Sequence, residues 1–466
     1  MLRRDNTTVK GHHVSESDSD TASILPLPSG EMNQDHESTL LKDRSFWGIV
    51  FTQFLGAFND NVFKQIVLLL ALPVAAGAGA MQSSEDMQGW ATFVFSLPFV
   101  LFSGFAGYLS DRFSKTPIIV YCKIAEIVIM FLGMIAFYYY GSLGWLGTWT
   151  VLFLMATQSA FFGPGKYGIL PELFKASDLP RANGLILMST FLAIIFGVTF
   201  AGKLMTWLVG KDMENTDRLW VGSLICIGVA VVGTITSLMI RKTAIAQPNA
   251  KLSADAFGLN KEIISLLRKD TPLLMALLVS CVFWMVASIA MPTVNRVGVN
   301  MLALDMESTS ILVGMVAVGI MLGAPLGGFL CRAMPSHRAV TIGLWGIVIS
   351  LALLGFWNGN ALWLSVNFTR IVLILLGISA AVYSIPLQVF LQDRPPNHLK
   401  GRMIATMNQA NFLGMMLAGP LYQLFLGIAS WLNYPVSSVF WMIGIMVVPL
   451  AIFYRMGEKS LMPNEK

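Results

Sequence analysis

Charge is what this sequence has least of. Only 12% of its 466 residues are Asp, Glu, Lys or Arg, about half the fraction of an ordinary soluble chain, and that excludes a soluble globular domain. Histidine is nearly absent, with five in all and three of them in the first 45 residues. No His/Cys cluster has metal-ligand spacing, so no metal and no other cofactor is expected. A phosphate-binding glycine loop is missing too: Lys166 and Lys203 follow glycines but lack the rest of that pattern. The four cysteines, Cys122, Cys226, Cys281 and Cys331, fall in or beside apolar runs; without a pairing pattern they read as small buried hydrophobes. These absences argue against an enzyme.

What is there instead is apolar: 55% of the chain, with 27 Met and 30 Phe. The apolar residues come in runs of about 20, enough to cross a hydrocarbon core. Twelve spans are expected, near 46–73, 88–110, 115–139, 143–164, 181–209, 217–240, 271–295, 307–331, 337–357, 361–391, 402–430 and 433–455. The expected fold is an all-α polytopic membrane protein. Residues 1–45 are polar, mixed in charge and without an apolar signal core, and read as a disordered tail. The tail's "HVSESD", His13 to Asp18, has the His-x4-Asp spacing of glycerolipid acyltransferases, but that motif needs a folded domain around it.

Lys and Arg set the orientation. With the N-terminus inside, 24 of the 31 fall in cytoplasmic segments, and the outer loops hold Lys211, Arg218 and Arg296 alone. Both termini are therefore expected in the cytoplasm, and the net charge of +5 reflects this bias rather than a nucleic-acid surface. The expected divisions are a tail (1–45), a first six-helix bundle (46–241), a linker (242–270), a second bundle (271–457) and a short tail (458–466). A faint repeat supports the split: "RANGLILMSTFL" from Arg181 aligns with "RMIATMNQANFL" from Arg402, and Pro164 with Pro386. Twelve spans divided six and six resemble the plan of the major facilitator superfamily.

The first span carries "GAFNDNVFKQ", Gly56 to Gln65. Gln53, Gly56, Asp60 and Lys64 recur at spacings of three and four and share a helix face, which Asn61 widens. Asp60 and Lys64 are spaced for an ion pair. Each charge alone would cost about 2.5–3.5 kcal/mol at the bilayer centre, so this face should look into a bundle interior or a water-filled cavity. Lys123 and Glu126 read as a local i,i+3 pair. Neither Arg370 nor Arg296 has a partner close in sequence and either could contact an anionic group, which makes Arg370 a candidate cavity residue; snorkelling to the surface suffices to explain Arg296. In "FFGPGKYGILPEL", Phe161 to Leu173, the Gly-Pro-Gly run is expected to break the helix and present Lys166, a point charge suited to a phosphate. A plain helix end with one snorkelling Lys is the alternative.

Two resemblances add to this. "GFAGYLSDRFSKTP" resembles the loop signature of the major facilitator superfamily. It implies gating roles for Gly107, Asp111, Arg112 and Lys115. The strings "GAFNDNVFK", "GPGKYGILPEL" and "RANGL", in that order, resemble the lysophospholipid transporter family of bacterial inner membranes. That resemblance implies inward movement of a lysophospholipid such as lysophosphatidylethanolamine, from the outer to the inner leaflet. It places Asp60, Asn61, Lys166, Glu172 and Asn183 at polar positions of the family's motifs. The implied partners are the lysophospholipid, the bilayer, and separate acyltransferase or ligase enzymes; a monomer is expected. Some relatives carry a Glu shortly after "NGL", where this chain has Leu187, and an Arg within span seven, where Arg296 is displaced outward. A proton-coupled carrier or exporter of another amphiphile or drug is the alternative.

Overall fold

The computed structural model describes residues 40–73, 85–175, 178–210, 216–245, 261–356, 366–396 and 399–454. The tail before residue 40 with its His13–Asp18 string, the linker between 246 and 260, and the chain after 454 lie outside the described residues.

The described residues form fourteen α-helices and no strand. The first half contains α1 (Arg44–Leu70), α2 (Gln88–Arg112), α3 (Lys115–Tyr138), α4 (Tyr140–Gly168), the four-residue α5 (Leu170–Leu173), α6 (Leu179–Val209) and α7 (Leu219–Ser237). After α8 (Lys261–Lys269) follow α9 (Thr271–Asn300), α10 (Met306–Ala333), α11 (Ser336–Gly355), α12 (Val366–Asp393), α13 (Lys400–Trp431) and α14 (Ser438–Phe453). All but α5 and α8 are long and correspond to the twelve expected spans. Nine are long and apolar enough by themselves to cross a membrane, and α14 is a shorter apolar helix. The two helices of spanning length outside that set are α1 and α4, with 27 and 29 residues. These carry the polar motifs, which dilute their hydropathy.

Two expected helix ends differ from the structure. Gly163, Pro164 and Gly165 do not break α4, which continues to Gly168 with Pro164 inside it. The sharp bend lies near the other end, at Gly144 (φ 49°), a backbone conformation that costs a residue without Cβ little. The last helix begins at Ser438 rather than 433, because Asn433 takes a left-handed conformation (φ 55°) before Pro435.

Within the first half, α1 packs on α6 and α7, and α3 on α4 and α7; within the second, α10 packs on α12, α11 on α12 and α14, and α9 on α13. The halves meet along two antiparallel seams, α2 with α13 and α6 with α10. Since α1 starts at one end and successive long helices alternate in direction, that end also receives α5, α8 and the end of α14. It is called the terminal end below, and its opposite the far end.

Candidate functional site

The polar residues of α1 meet a different neighbour at almost every turn. Buried Gln53 donates to the Thr190 hydroxyl of α6 at 3.0 Å. Buried Asn59 donates to Glu126 Oε1 of α3 at 2.7 Å, and Glu126 also pairs with Lys123 three residues earlier, both 1% exposed. The Lys123–Glu126 pair is thus local, and Asn59 completes it. The Ser159 hydroxyl of α4 donates to Asp60 Oδ2 at 2.5 Å, leaving Oδ1 buried without a hydrogen-bond partner. Asn61 turns back to the Ala57 carbonyl oxygen of its own helix at 2.7 Å.

The expected Asp60–Lys64 ion pair does not form. Lys64 Nζ lies instead over the Phe95 ring of α2, 4.2 Å from its centroid, where the π face attracts a cation. Each charge thus has its contact on a facing helix. Asp60 and Lys64 remain partly exposed beside the buried Asn59 and Gln65. The α4 wall continues this polar surface. Gly163 and Lys166 follow Ser159 at spacings of four and seven, on the same face; a Cβ at Gly163 would meet nothing within 4 Å. Lys166 Nζ lies 6.0 Å from the Phe162 ring centroid.

At the terminal end two motifs are joined that the sequence presents separately. Glu172 of α5 forms an ion pair with Lys115 at the start of α3, and its Oε2 is buried without a partner. Glu172, expected in the cavity, and Lys115, expected in the gate, therefore share one interaction. Beside them the Ser114 hydroxyl donates to the Thr243 carbonyl oxygen at 2.7 Å and Thr116 to that of Arg241 at 2.8 Å. Arg241 in turn reaches Asp43 at 2.8 Å and the Leu173 carbonyl oxygen. None of these residues belongs to the second bundle, so the loop signature knots the first half to itself and to the segments that flank it. Arg112 donates to its neighbour Tyr108 at 3.0 Å, Asp111 is exposed, and Gly107 faces open space. Asn183 is exposed, bonded to the Leu179 carbonyl oxygen at 2.9 Å, with exposed Leu187 one turn on.

The hydrogen bonds between the halves gather toward the far end. Gln65 donates to Asn295 and Ser310 at 3.1 and 3.3 Å, Asn295 to Gln88 at 3.0 Å, and the Glu307 backbone to Thr206 at 3.2 Å. Asp86, two residues before α2, accepts from the Gln88 backbone at 3.0 Å, the Gln88 amide at 3.2 and 3.3 Å, Arg296 at 3.1 Å and the Tyr422 hydroxyl at 2.7 Å. Gln423 reaches the Asp86 carbonyl oxygen at 2.5 Å. Burial holds the Asp86 carboxyl above its ordinary value, the Tyr422, Gln88 and Arg296 donors working against that. Midway along, Phe99 and Phe412 stack across the seam with centroids 4.0 Å apart and planes 2° from parallel. Arg370 stands in the second turn of α12, toward the far end, and donates to Asn367 at 3.2 Å. It has a partner close in sequence after all, and is not brought to Asp60.

Sequence reasoning missed Ser159, Arg241 and Asp86. Ser159 stood two residues before the start of a motif already singled out. Asp86, an acid just before a span, could have been matched to Arg296, one of three outer charges. Comparison with known proteins agrees with this architecture. The sequence profile of the Major Facilitator Superfamily matches residues 46–419. The lysophospholipid transporter LplT of Escherichia coli is 27% identical over 424 residues, spanning 90% of this chain and 94% of that protein. That of Photorhabdus laumondii is 27% identical over 401 residues, 84% of this chain and 91% of the relative. Among solved structures, the nucleoside transporter NupG superposes with a TM-score of 0.65 at 12% identity, over 88% of this chain and 98% of that one. An auto-inhibited POT family peptide transporter gives 0.65 at 14%, over 90% and 99%. The chain belongs to the Major Facilitator Superfamily, as a multi-pass membrane transporter and not an enzyme.

Proposed function

We propose that this transporter carries lysophospholipids across a bacterial inner membrane, from the outer to the inner leaflet, by alternating access. The observation that carries the reading is the unpartnered oxygen of Asp60 on a partly exposed wall that also holds Lys64 and, along α4, Lys166. A carboxylate and two ammonium groups along one wall suit a zwitterionic head group. The amine of lysophosphatidylethanolamine would meet the Asp60 carboxylate once its buried Oδ1 is uncovered, and its phosphate a lysine. The LplT relatives support the same substrate. In this proposal the terminal end faces the cytoplasm, as the Lys/Arg bias expects, and the far end faces outward. The head group then leaves past Lys166 while the single acyl chain stays against apolar helix faces. Separate acyltransferase or ligase enzymes would consume the product.

The test is a flipping assay with purified protein in liposomes, comparing labelled lysophosphatidylethanolamine with a diacyl control. Selective movement of the single-chain lipid, lost in Asp60→Asn and in Lys166→Ala, is expected. Movement that survives both substitutions overturns the site. One observation favours the second reading, a carrier of another amphiphile: Leu187, apolar and 47% exposed on α6, stands where some relatives bear a carboxylate. A substrate without an amine, moved faster than the lysophospholipid, would select it.

A further inference from the structure

The Asp86 cluster is not needed to bind a head group, yet it is the densest polar junction described between the halves. The side-chain groups bonded to the Asp86 carboxylate are all donors, and they come from α2, α9 and α13. One acid thus joins the first half to the second, with a side chain only 1% exposed. Its ion pair is incomplete. Arg296 makes a single Nη1 contact at 3.1 Å while its Nε is buried without a partner, and a one-pronged guanidinium offsets only part of the cost of burying a carboxylate. Arg296 on α9 and Tyr422 on α13 are the titratable groups bonded to it; Glu85, next in the chain, is exposed.

We propose that Asp86 is a proton-binding site that governs closure of the far end: with the proton bound the halves stay joined there, and with it released they part. The sign follows from linkage. Burial raises the Asp86 carboxyl in the closed form, whereas an opened, hydrated Asp86 would return to its ordinary value. Closure is therefore favoured at low pH and weakens as the pH rises through the raised value. The neutral acid still accepts from Gln88 and can offer its own O–H to the Tyr422 hydroxyl. Asparagine copies that neutral form and keeps one acceptor; alanine removes both. This holds whatever the transporter carries.

The experiment uses the full-length, cysteine-free chain in lipid nanodiscs. Spin labels replace Trp90 and Trp431, exposed on the far portions of α2 and α13, and pulsed electron resonance reads their separation at about pH 5 and about pH 8. In the wild type the ratio of long to short separations should rise at least about threefold toward the higher pH. Asp86→Asn should hold the short separation at both pH values, and Asp86→Ala the long one. An unchanged wild-type distribution overturns the proposal, and so does an asparagine variant that keeps the full wild-type response. If the alanine variant fails to fold, the wild type and the asparagine variant decide alone.

Discussion

Some glycines toward the two ends of the molecule are put to opposite uses. On the α2–α13 seam a Cβ at Gly89 would lie 2.6 Å from the Gly419 carbonyl oxygen, and on the α6–α10 seam one at Gly202 would collide with Ser310. There the missing side chains let backbones of different halves touch. Toward the terminal end, Gly107, Gly163 and Gly184 face open space, and the missing side chains leave room. Polar contacts divide in the same way. The hydrogen bonds that cross between the halves gather at the far end, whereas Lys115–Glu172 and Arg241–Asp43 knit the first half to itself and to its flanking segment. One end is thus joined across the halves, while the polar contacts named at the other hold the first half to itself and its flanking segments.

Substitutions can break that contrast. The largest effect is expected at the terminal knot: Lys115→Met leaves Glu172 without its ion-pair partner in a largely buried site. The cost should be about 3 kcal/mol, seen as a lower thermal midpoint. Label separations across the far end should stay unchanged, since the damage is confined to one half. Next is Gly89→Ala, which presses a methyl group on the Gly419 backbone and should disfavour the closed far end by about 1–3 kcal/mol. Its signature is the reverse, an altered separation with little loss of first-half stability. The smallest belongs to Gly184→Ala: with open space for the methyl group, stability should change by no more than the about 1 kcal/mol that helix propensity supplies, and the separation not at all.

Much of the fold could be read from the chain because membrane spans announce themselves locally. A run of apolar residues near α9 or α12 needs no knowledge of its neighbours, and the Lys/Arg count suggested how the runs alternate. Partners within the site were harder. Asp60 and Lys64 sit four apart, and that spacing pointed to each other; their contacts are instead Ser159, 99 residues from Asp60, and the Phe95 ring. Glu172 and Lys115 belong to different motifs and meet only when α5 folds against α3. The far-end cluster was the least visible, since Asp86, Arg296 and Tyr422 are ordinary residues near helix ends until the seams bring them together. Periodicity says which face a residue occupies, not which of several packed helices that face will meet.

The connector between the halves is fastened at both of its ends, to different bodies. Residues 241 and 243 are bonded to Thr116 and Ser114 of the first half, while Ile263 and Leu267 of α8 are buried in the core of the second and Glu262 pairs with Arg402. Helix α8 is therefore cargo of the second half. Direct contact between the two bodies lies chiefly along the α2–α13 and α6–α10 seams.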